Sequence, residues 1–390
     1  MKQIFKSLPF RLAIALFVGI SVGLVANSAV MQVLITLQNL LSALIMFIIP
    51  LIIIGFIAPS ITKLGGNASK LLGIAILLAY LSSVSASLFS AASGYAILPH
   101  LHIVNDVSAN RPLPEVIFDL KIPPIMSVMS ALVFSVLIGI TAAWKRADKV
   151  IAALDEFQGM VILIVTKIII PILPFFIACT FSSLAYEGLI MKQLPVFIKV
   201  IAIVIVGHFI WITLLYFLAG IYAKKSPFRV LRHYAPAYMT AVGTMSSAAT
   251  LPVALSCARK SDVLNRDMID FGIPLFANIH LCGSVLTETF FVMTVSQALY
   301  GSLPPLSSII LFSVLLGIFA IGAPGVPGGT VMASLGLIVS VLGFDAAGTA
   351  LMLTIFALQD SFGTACNVTS DGALTLILSK YYSRHKKTEV

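Results

Sequence analysis

Residues 237–258 read AYMTAVGTMSSAATLPVALSCA. The stretch is apolar at both ends, but Ser246, Ser247 and Thr250 break its middle and Pro252 follows them. Its flanks decide how it is read. Lys224, Lys225, Arg229 and Arg232 precede it, and Arg259, Lys260 and Arg266 follow it. Loops rich in Lys and Arg face the cytoplasm, so both ends are expected on the same side. A segment that returns to its own side is a re-entrant hairpin. Read instead as a single crossing, it would put Arg259, Lys260 and Arg266 on the outer side.

The rest of the chain supports a membrane setting. Of its 390 residues, 59% are hydrophobic and only 10% are charged, with mean hydropathy +1.07. Apolar windows near 20 residues recur, as needed to span a hydrocarbon core about 30 Å thick. A membrane β-barrel would show alternating segments of about 10 residues instead. The first six spans are predicted at residues 10–27, 38–60, 70–97, 123–143, 155–185 and 195–222. MKQIFKSLPFR leads into the first of them without a small-residue cleavage site, so it is expected to stay attached.

The net charge of +9 is explained by topology, and nucleic acid is not an expected partner. Of the 24 Lys and Arg residues, 19 fall inside, Arg111, Lys121, Lys192 and Lys199 fall in or beside outer loops, and Lys167 lies within a span. This places the N-terminus, and finally the C-terminal KYYSRHKK, in the cytoplasm. Cys179, Cys257, Cys282 and Cys366 lack metal-type spacing and read as reduced packing residues.

After the first hairpin, residues 268–298 cross outward as a seventh span. Residues 304–345 form a second broken segment, two apolar arms around GAPGVPGG at 322–329. An arm of about 15 residues rises about 22 Å as a helix, which is short of a crossing. Residues 348–379 return inside as the eighth span. The predicted fold is therefore an all-α polytopic membrane protein with eight transmembrane helices and two re-entrant helical hairpins. Non-helical backbone at membrane depth is tolerated only where protein buries it or it lines a cavity. Two interrupted segments in one half of such a chain point to a binding site.

Away from loops and span ends, three acids lie inside the spans: Glu288, Asp360 and Asp371. Charge at that depth is costly and marks function. The last span contains LQDSFGTACNVTSDGAL at 358–374, in which Asp360, Thr364, Asn367 and Asp371 follow an i, i+4, i+7, i+11 pattern. That pattern puts all four on one helix face. The stripe is about 16 Å long at about 1.5 Å per residue, so its two Asp cannot form the close carboxylate dyad of an aspartyl protease. No nucleophile–base pair is evident either, and no enzyme activity is expected. A receptor would add a soluble output domain, for which the 11 residues 380–390 are too short.

Asp371 and Asn367 offer hard oxygen ligands for an alkali cation, together with carbonyls freed by a broken helix. Asp360 can pair with an ammonium. The hairpin tips offer unpaired N–H groups that attract carboxylates, and Ser246 and Ser247 add hydroxyls. These parts suit an amino acid with a cation nearby.

On these motifs the chain resembles the dicarboxylate/amino acid:cation symporters, the glutamate transporter family. SSAATLPV at 246–253 resembles the serine-rich tip of the first hairpin, and GAPGVPGG resembles the tip of the second. DSFGTACNVTSD at 360–371 is similar to the substrate and sodium signature of the last span, and PLIIIGFIAPS at 50–60 extends the likeness into the second span. The resemblance implies cation-coupled symport by an elevator motion, in a homotrimer in the plasma (cytoplasmic) membrane. Spans 1, 2, 4 and 5 of residues 1–236 would form a scaffold. Spans 3 and 6 would join residues 237–390 as the transport domain. By resemblance, Asp360 would hold the substrate amino group, with Gly363, Thr364, Asn367 and Ser284 lining the pocket. Ser246, Ser247 and the backbone of Val326, Pro327 and Gly328 would meet the substrate carboxylate. Asn278, His280, Asn367 and Asp371 would form the cation site. Sodium is the expected coupling ion, with no other cofactor.

The departures from the family pattern carry the specificity. Acidic-substrate members have an Arg where this chain has Gly363. No other Lys or Arg lies in the hairpins or the last two spans, so a second substrate carboxylate would be buried unpaired. A neutral amino acid is expected, as in the serine/threonine-transporter-like branch, and Gly363 leaves room for a larger substrate side chain. The seventh span usually breaks at Asn-Met-Asp-Gly-Thr and here reads His280-Leu281-Cys282-Gly283-Ser284. Cys282 is a poor ligand for a hard cation, so fewer sodium ions are expected than the family maximum. Glu288 stands where proton-coupled members carry a Glu and is a candidate proton carrier. His280 is read either as a packed residue or as one that joins in proton coupling. Ser82, Ser83 and Ser85 of the third span read as hydroxyls bonded to neighbouring helices.

Overall fold

The computed structural model describes residues 8–65, 70–101, 111–188, 190–323, 325 and 327–386, and among these there is no strand. Helix α1 (Leu8–Val25) turns at Ala26 and Asn27 into the long α2 (Ser28–Gly65), followed by α3 (Lys70–Ile97). Residues 28–37, expected between spans, are thus already helical. Helix α4 (Val128–Lys145) starts later than residue 123, where Ser127 caps it by accepting the Ser130 N–H. The fifth predicted span is α5 (Asp148–Ile164) and α6 (Ile170–Tyr186), joined by a π-helical turn at Val165–Ile169. Pro171 explains the turn: it has no N–H to give to the Lys167 carbonyl, so the ladder slips by one residue. Helix α7 (Ile190–Ala223) completes the N-terminal part.

The remaining helices are the short α8 (Phe228–Leu231), then α9 (Ala235–Thr244) and α10 (Ser247–Arg259), α11 (Arg266–Ile279) and α12 (Cys282–Tyr300), α13 (Leu306–Gly322) and α14 (Gly329–Leu342), and α15 (Ala346–Lys386). Helices α9 and α10 pack against each other, and so do α13 and α14. Each pair folds back on itself, as the broken apolar segments predict. Met245, in left-handed backbone with φ 52°, makes the first turn.

Packing divides the helices into two groups. Helices α1, α2, α4, α5 and α6 pack mainly on one another, and α3, α7, α9–α12 and α14 pack on α15; α13 joins this second group through α3 and α14, and the α13–α14 pair also packs on α2 of the first. In the first group, Gly19 and Gly23 of α1 let α6 approach closely. A Cβ at Gly19 would stand 2.4 Å from the Ala178 carbonyl oxygen, and one at Gly23 2.2 Å from that of Ser182. This is small-residue packing spaced by four, and the Ser182 hydroxyl reaches across to the Gly19 carbonyl at 2.9 Å. In the second group, α3 buries Ala75, Ala79, Ser82, Ser83, Ala86, Ser87, Ser90, Ala91 and Gly94. Its hydroxyls serve neighbouring helices: Ser87 bonds Thr289 and Ser313 at 2.7 Å each, and Ser90 donates to the Leu286 carbonyl at 2.6 Å.

Among the described residues, five helical stretches are long and apolar enough to cross a membrane: Ser28–Pro59, Lys70–His100, Asp148–Tyr186, Val196–Ala223 and Arg266–Tyr300. Shorter apolar stretches are Ile14–Val25, Val133–Lys145, Leu306–Gly322 and Gly329–Leu342. Helix α15 is in neither set. Protein surrounds it, and Asp360, Thr364, Asn367 and Asp371 are all nearly fully buried, so it need not present an apolar face to lipid.

Candidate substrate and cation site

The site forms where the N-termini of α12 and α14 meet the polar face of α15, and that of α10 meets the tip beside α14. The first of these is that of α12. The chain leaves α11 at His280 (φ −115°, ψ 103°) and re-enters a helix at Cys282 without a local side-chain cap. The first N–H groups of a helix have no partner within it. Asn367 of α15 supplies one: its Oδ1 accepts the N–H of Gly283 at 2.7 Å and of Ser284 at 3.2 Å, and its Nδ2 donates to Ser284 Oγ at 2.9 Å. Gly283 makes this crossing possible, since a Cβ there would lie 2.4 Å from Cys366 Cβ and 2.5 Å from the Gly363 carbonyl oxygen.

The second N-terminus is that of α14. Gly328 caps it in left-handed backbone at φ 72°, and its N–H donates to Asp360 Oδ2 at 2.7 Å. The carboxylate thus sits at the positive end of a helix dipole. The third is that of α10, capped by Ser246, whose Oγ accepts the Ala249 N–H at 3.3 Å and donates to the Gly325 carbonyl at 2.7 Å. The two hairpin tips therefore touch each other. Ser247 and Thr364 are buried beside them, and Pro327 is half-buried. Val326 lies outside the described residues.

Lower on α15, Asp371 Oδ1 bonds His280 Nδ1 at 2.9 Å, and His280 Nε2 bonds Ser82 Oγ at 2.9 Å. Both ring nitrogens of His280 are therefore engaged, and its imidazole bridges α3 and α15. Asp371 Oδ2 and Ser83 Oγ are buried with no hydrogen-bond partner among the described residues. Asn278 is not brought to this cluster: its side chain is exposed and donates to its own helix at the Pro274 carbonyl, 2.8 Å away. Glu288 is fully buried on α12 and bonded by Ser334 of α14, and its second oxygen has no partner among the described residues.

Two placements are not evident from sequence spacing. Gly363 packs against α12, where a Cβ would stand 3.3 Å from Ser284 Cα and 3.4 Å from its Oγ. Its lack of a side chain serves the close α12–α15 contact. His208 of α7, a lone histidine in an apolar run, is fully buried. Its Nε2 lies 3.0 Å from the Gly283 carbonyl and 2.9 Å from Thr287 Oγ1, which ties α7 to the first turn of α12.

Comparison with known proteins places the chain in a family. Residues 8–381 match the sodium:dicarboxylate symporter family. The chain belongs to that family, whose members are membrane transporters rather than enzymes. It is similar to neutral amino acid transporter B(0) of Bos taurus, at 26% identity over 268 residues, covering 66% of this chain and 48% of that protein. It is also similar to excitatory amino acid transporter 3 of Mus musculus, at 32% identity over 167 residues (43% of this chain, 31% of that one). Excitatory amino acid transporter 2 of Homo sapiens is 28% identical over 254 residues (63% and 43%). The chain spans about half the length, or less, of these relatives.

Proposed function

We propose that the protein is a sodium-coupled symporter of a neutral amino acid. The observation that carries this reading is Asp360, a buried carboxylate facing the N-terminus of α14 beside the hydroxyl-rich tip of α10. A substrate ammonium can replace the Gly328 N–H on Asp360. Its carboxylate is suited to the N–H groups at the two hairpin tips. Among the described buried polar residues there is no Lys or Arg. A second substrate carboxylate would therefore lack a counter-charge, a cost of several kcal/mol. The family description and the excitatory relatives favour the other reading, an acidic amino acid or dicarboxylate. Proteoliposomes under an inward sodium gradient should accumulate serine, threonine or alanine. Competition by aspartate or succinate at low concentration would reverse the preference, and gradient-independent behaviour with every amino acid would sink the symport reading.

The sodium ion is assigned to Asp371, whose Oδ2 has no partner among the described residues, with carbonyls near the break at His280 and Leu281. In this arrangement His280 and Asn367 act beside the ion: one hydrogen-bonds Asp371 and the other caps α12. Cys282 contributes no hard oxygen, so fewer coupled ions are proposed than the family maximum. Glu288 is proposed as a proton carrier. Asp371→Ala should raise the sodium concentration for half-maximal uptake about tenfold or more, since ligand charge count sets affinity for a hard cation. An unchanged sodium dependence counts against the assignment.

The grouping of α3, α7 and α9–α15 around the site supports an elevator in which they move against α1, α2 and α4–α6. Eight spans, two hairpins re-entering the bilayer, cytoplasmic termini, a plasma-membrane location and a homotrimer complete the proposal.

A further inference from the structure

Far along α15 from the hairpin tips lies a second, polar cavity of about 320 Å³. Three elements form it: the end of α7 with Lys225, the connection between α10 and α11 with residues 262–265, and the last turns of α15 with Ser379, Lys380 and Ser383. None of these residues belongs to the substrate or cation site.

Its chemistry is that of an anion site. Lys225 Nζ donates to the Val263 carbonyl at 3.1 Å, which fixes the ammonium at the rim and leaves two of its three N–H groups. Lys380 brings a second ammonium from α15. Ser379 is buried, and its Oγ accepts the Asn265 N–H at 3.2 Å, so its own proton is available to a ligand. Asn265 turns its Oδ1 to the Met268 N–H at 3.2 Å, which leaves its amide N–H groups. Asp262 also lines the cavity, but its carboxylate is ion-paired with Arg229. The lining is therefore net positive and supplies donors from four side chains on three elements. Several donors converging from different directions suit a tetrahedral oxyanion, whose oxygens accept charge-assisted hydrogen bonds. Basic pockets between helices at a membrane face hold lipid headgroups in the same way.

We propose that this cavity binds a phosphate group, either as free phosphate or on the headgroup of an anionic lipid. The proposal is independent of which solute is carried, because the cavity shares no residue with the transport site. The test uses the purified full chain as wild type, as the Lys225→Gln/Lys380→Gln pair and as the Lys225→Arg/Lys380→Arg pair. Inorganic phosphate is titrated calorimetrically in uncharged detergent at constant ionic strength. Separately, native mass spectrometry counts phosphatidylglycerol retained from nanodiscs that contain it with phosphatidylcholine. At about fivefold per lysine, the Gln pair should bind about thirtyfold more weakly and the Arg pair within about threefold of wild type. Loss of phosphate binding alone assigns a soluble ligand, and loss of retained lipid alone assigns a headgroup; either result supports the site. Equal binding of both probes by wild type and the Gln pair overturns it, as does the failure of both probes to bind the wild type. Should the Gln pair fail to fold, Lys380→Gln alone should still lose about fivefold.

Discussion

Asp360→Ala abolishes amino acid uptake in proteoliposomes: that is the largest effect expected of any single change in the site. The carboxylate is nearly fully buried, and its Oδ2 is bonded to the Gly328 N–H at 2.7 Å. Removing one partner of a buried ion pair costs about 3–5 kcal/mol, because the remaining charge is left in a medium that cannot solvate it. For a bound ammonium this is a loss of affinity of about two to four orders of magnitude. Asp360→Asn separates the two roles of the side chain. An amide oxygen can still accept the Gly328 N–H, but it carries no charge for the substrate. The Asn variant should therefore keep a near-wild-type melting temperature and still fail to take up substrate. Uptake restored by Asn would mean that Asp360 only holds the hairpin tip, and the ammonium assignment would fall.

The second large effect lies outside the charged residues. Gly283→Ala adds one methyl group where α12 crosses α15, and that methyl would stand 2.4 Å from Cys366 Cβ and 2.5 Å from the Gly363 carbonyl oxygen. Backbone cannot yield as a flexible side chain can, so α12 must move off α15. Overpacking of this kind costs about 1–3 kcal/mol. The movement also pulls Gly283 and Ser284 from Asn367 Oδ1, now at 2.7 and 3.2 Å. The expected result is a melting temperature lower by several degrees and uptake reduced by at least about tenfold, out of proportion to the stability loss. Alanine at Gly73, where a Cβ meets nothing within 4 Å, is the matched control and should behave as wild type. Equal behaviour of the two variants would show that the crossing tolerates adjustment.

Much of this architecture is legible in the sequence because membranes restrict what a chain can do. Backbone may leave a helix at depth only under cover. The polar tip at Ser246 and Ser247 and the Gly/Pro run at 322–329 therefore mark two places where the second half of the chain breaks, whereas the break at His280 is legible only through the resemblance to the family's motif there. The 3.6-residue period likewise places Asp360, Thr364, Asn367 and Asp371 on one buried face. Periodicity does not say what stands opposite. That Gly363 touches Ser284, that Asn367 caps α12, and that His280 reaches from Asp371 to Ser82 all depend on α12 and α3 packing on α15. The π turn at Val165–Ile169 was missed for another reason. Pro171 reads as a kink or an interruption, and only the surrounding ladder fixes which. His208 gave a sequence signal, a lone imidazole in an apolar span, but its partners on α12 are 75 and 79 residues away.

The bond from the Ser246 hydroxyl to the Gly325 carbonyl joins two tips 79 residues apart in the chain. Whichever tip withdraws, the same bond is the one that breaks. A pair of spectroscopic labels placed beside these two positions would therefore register an inward and an outward opening through one distance. The sign of a sodium jump or a substrate jump on that distance would order the events of a transport cycle without any measurement of flux.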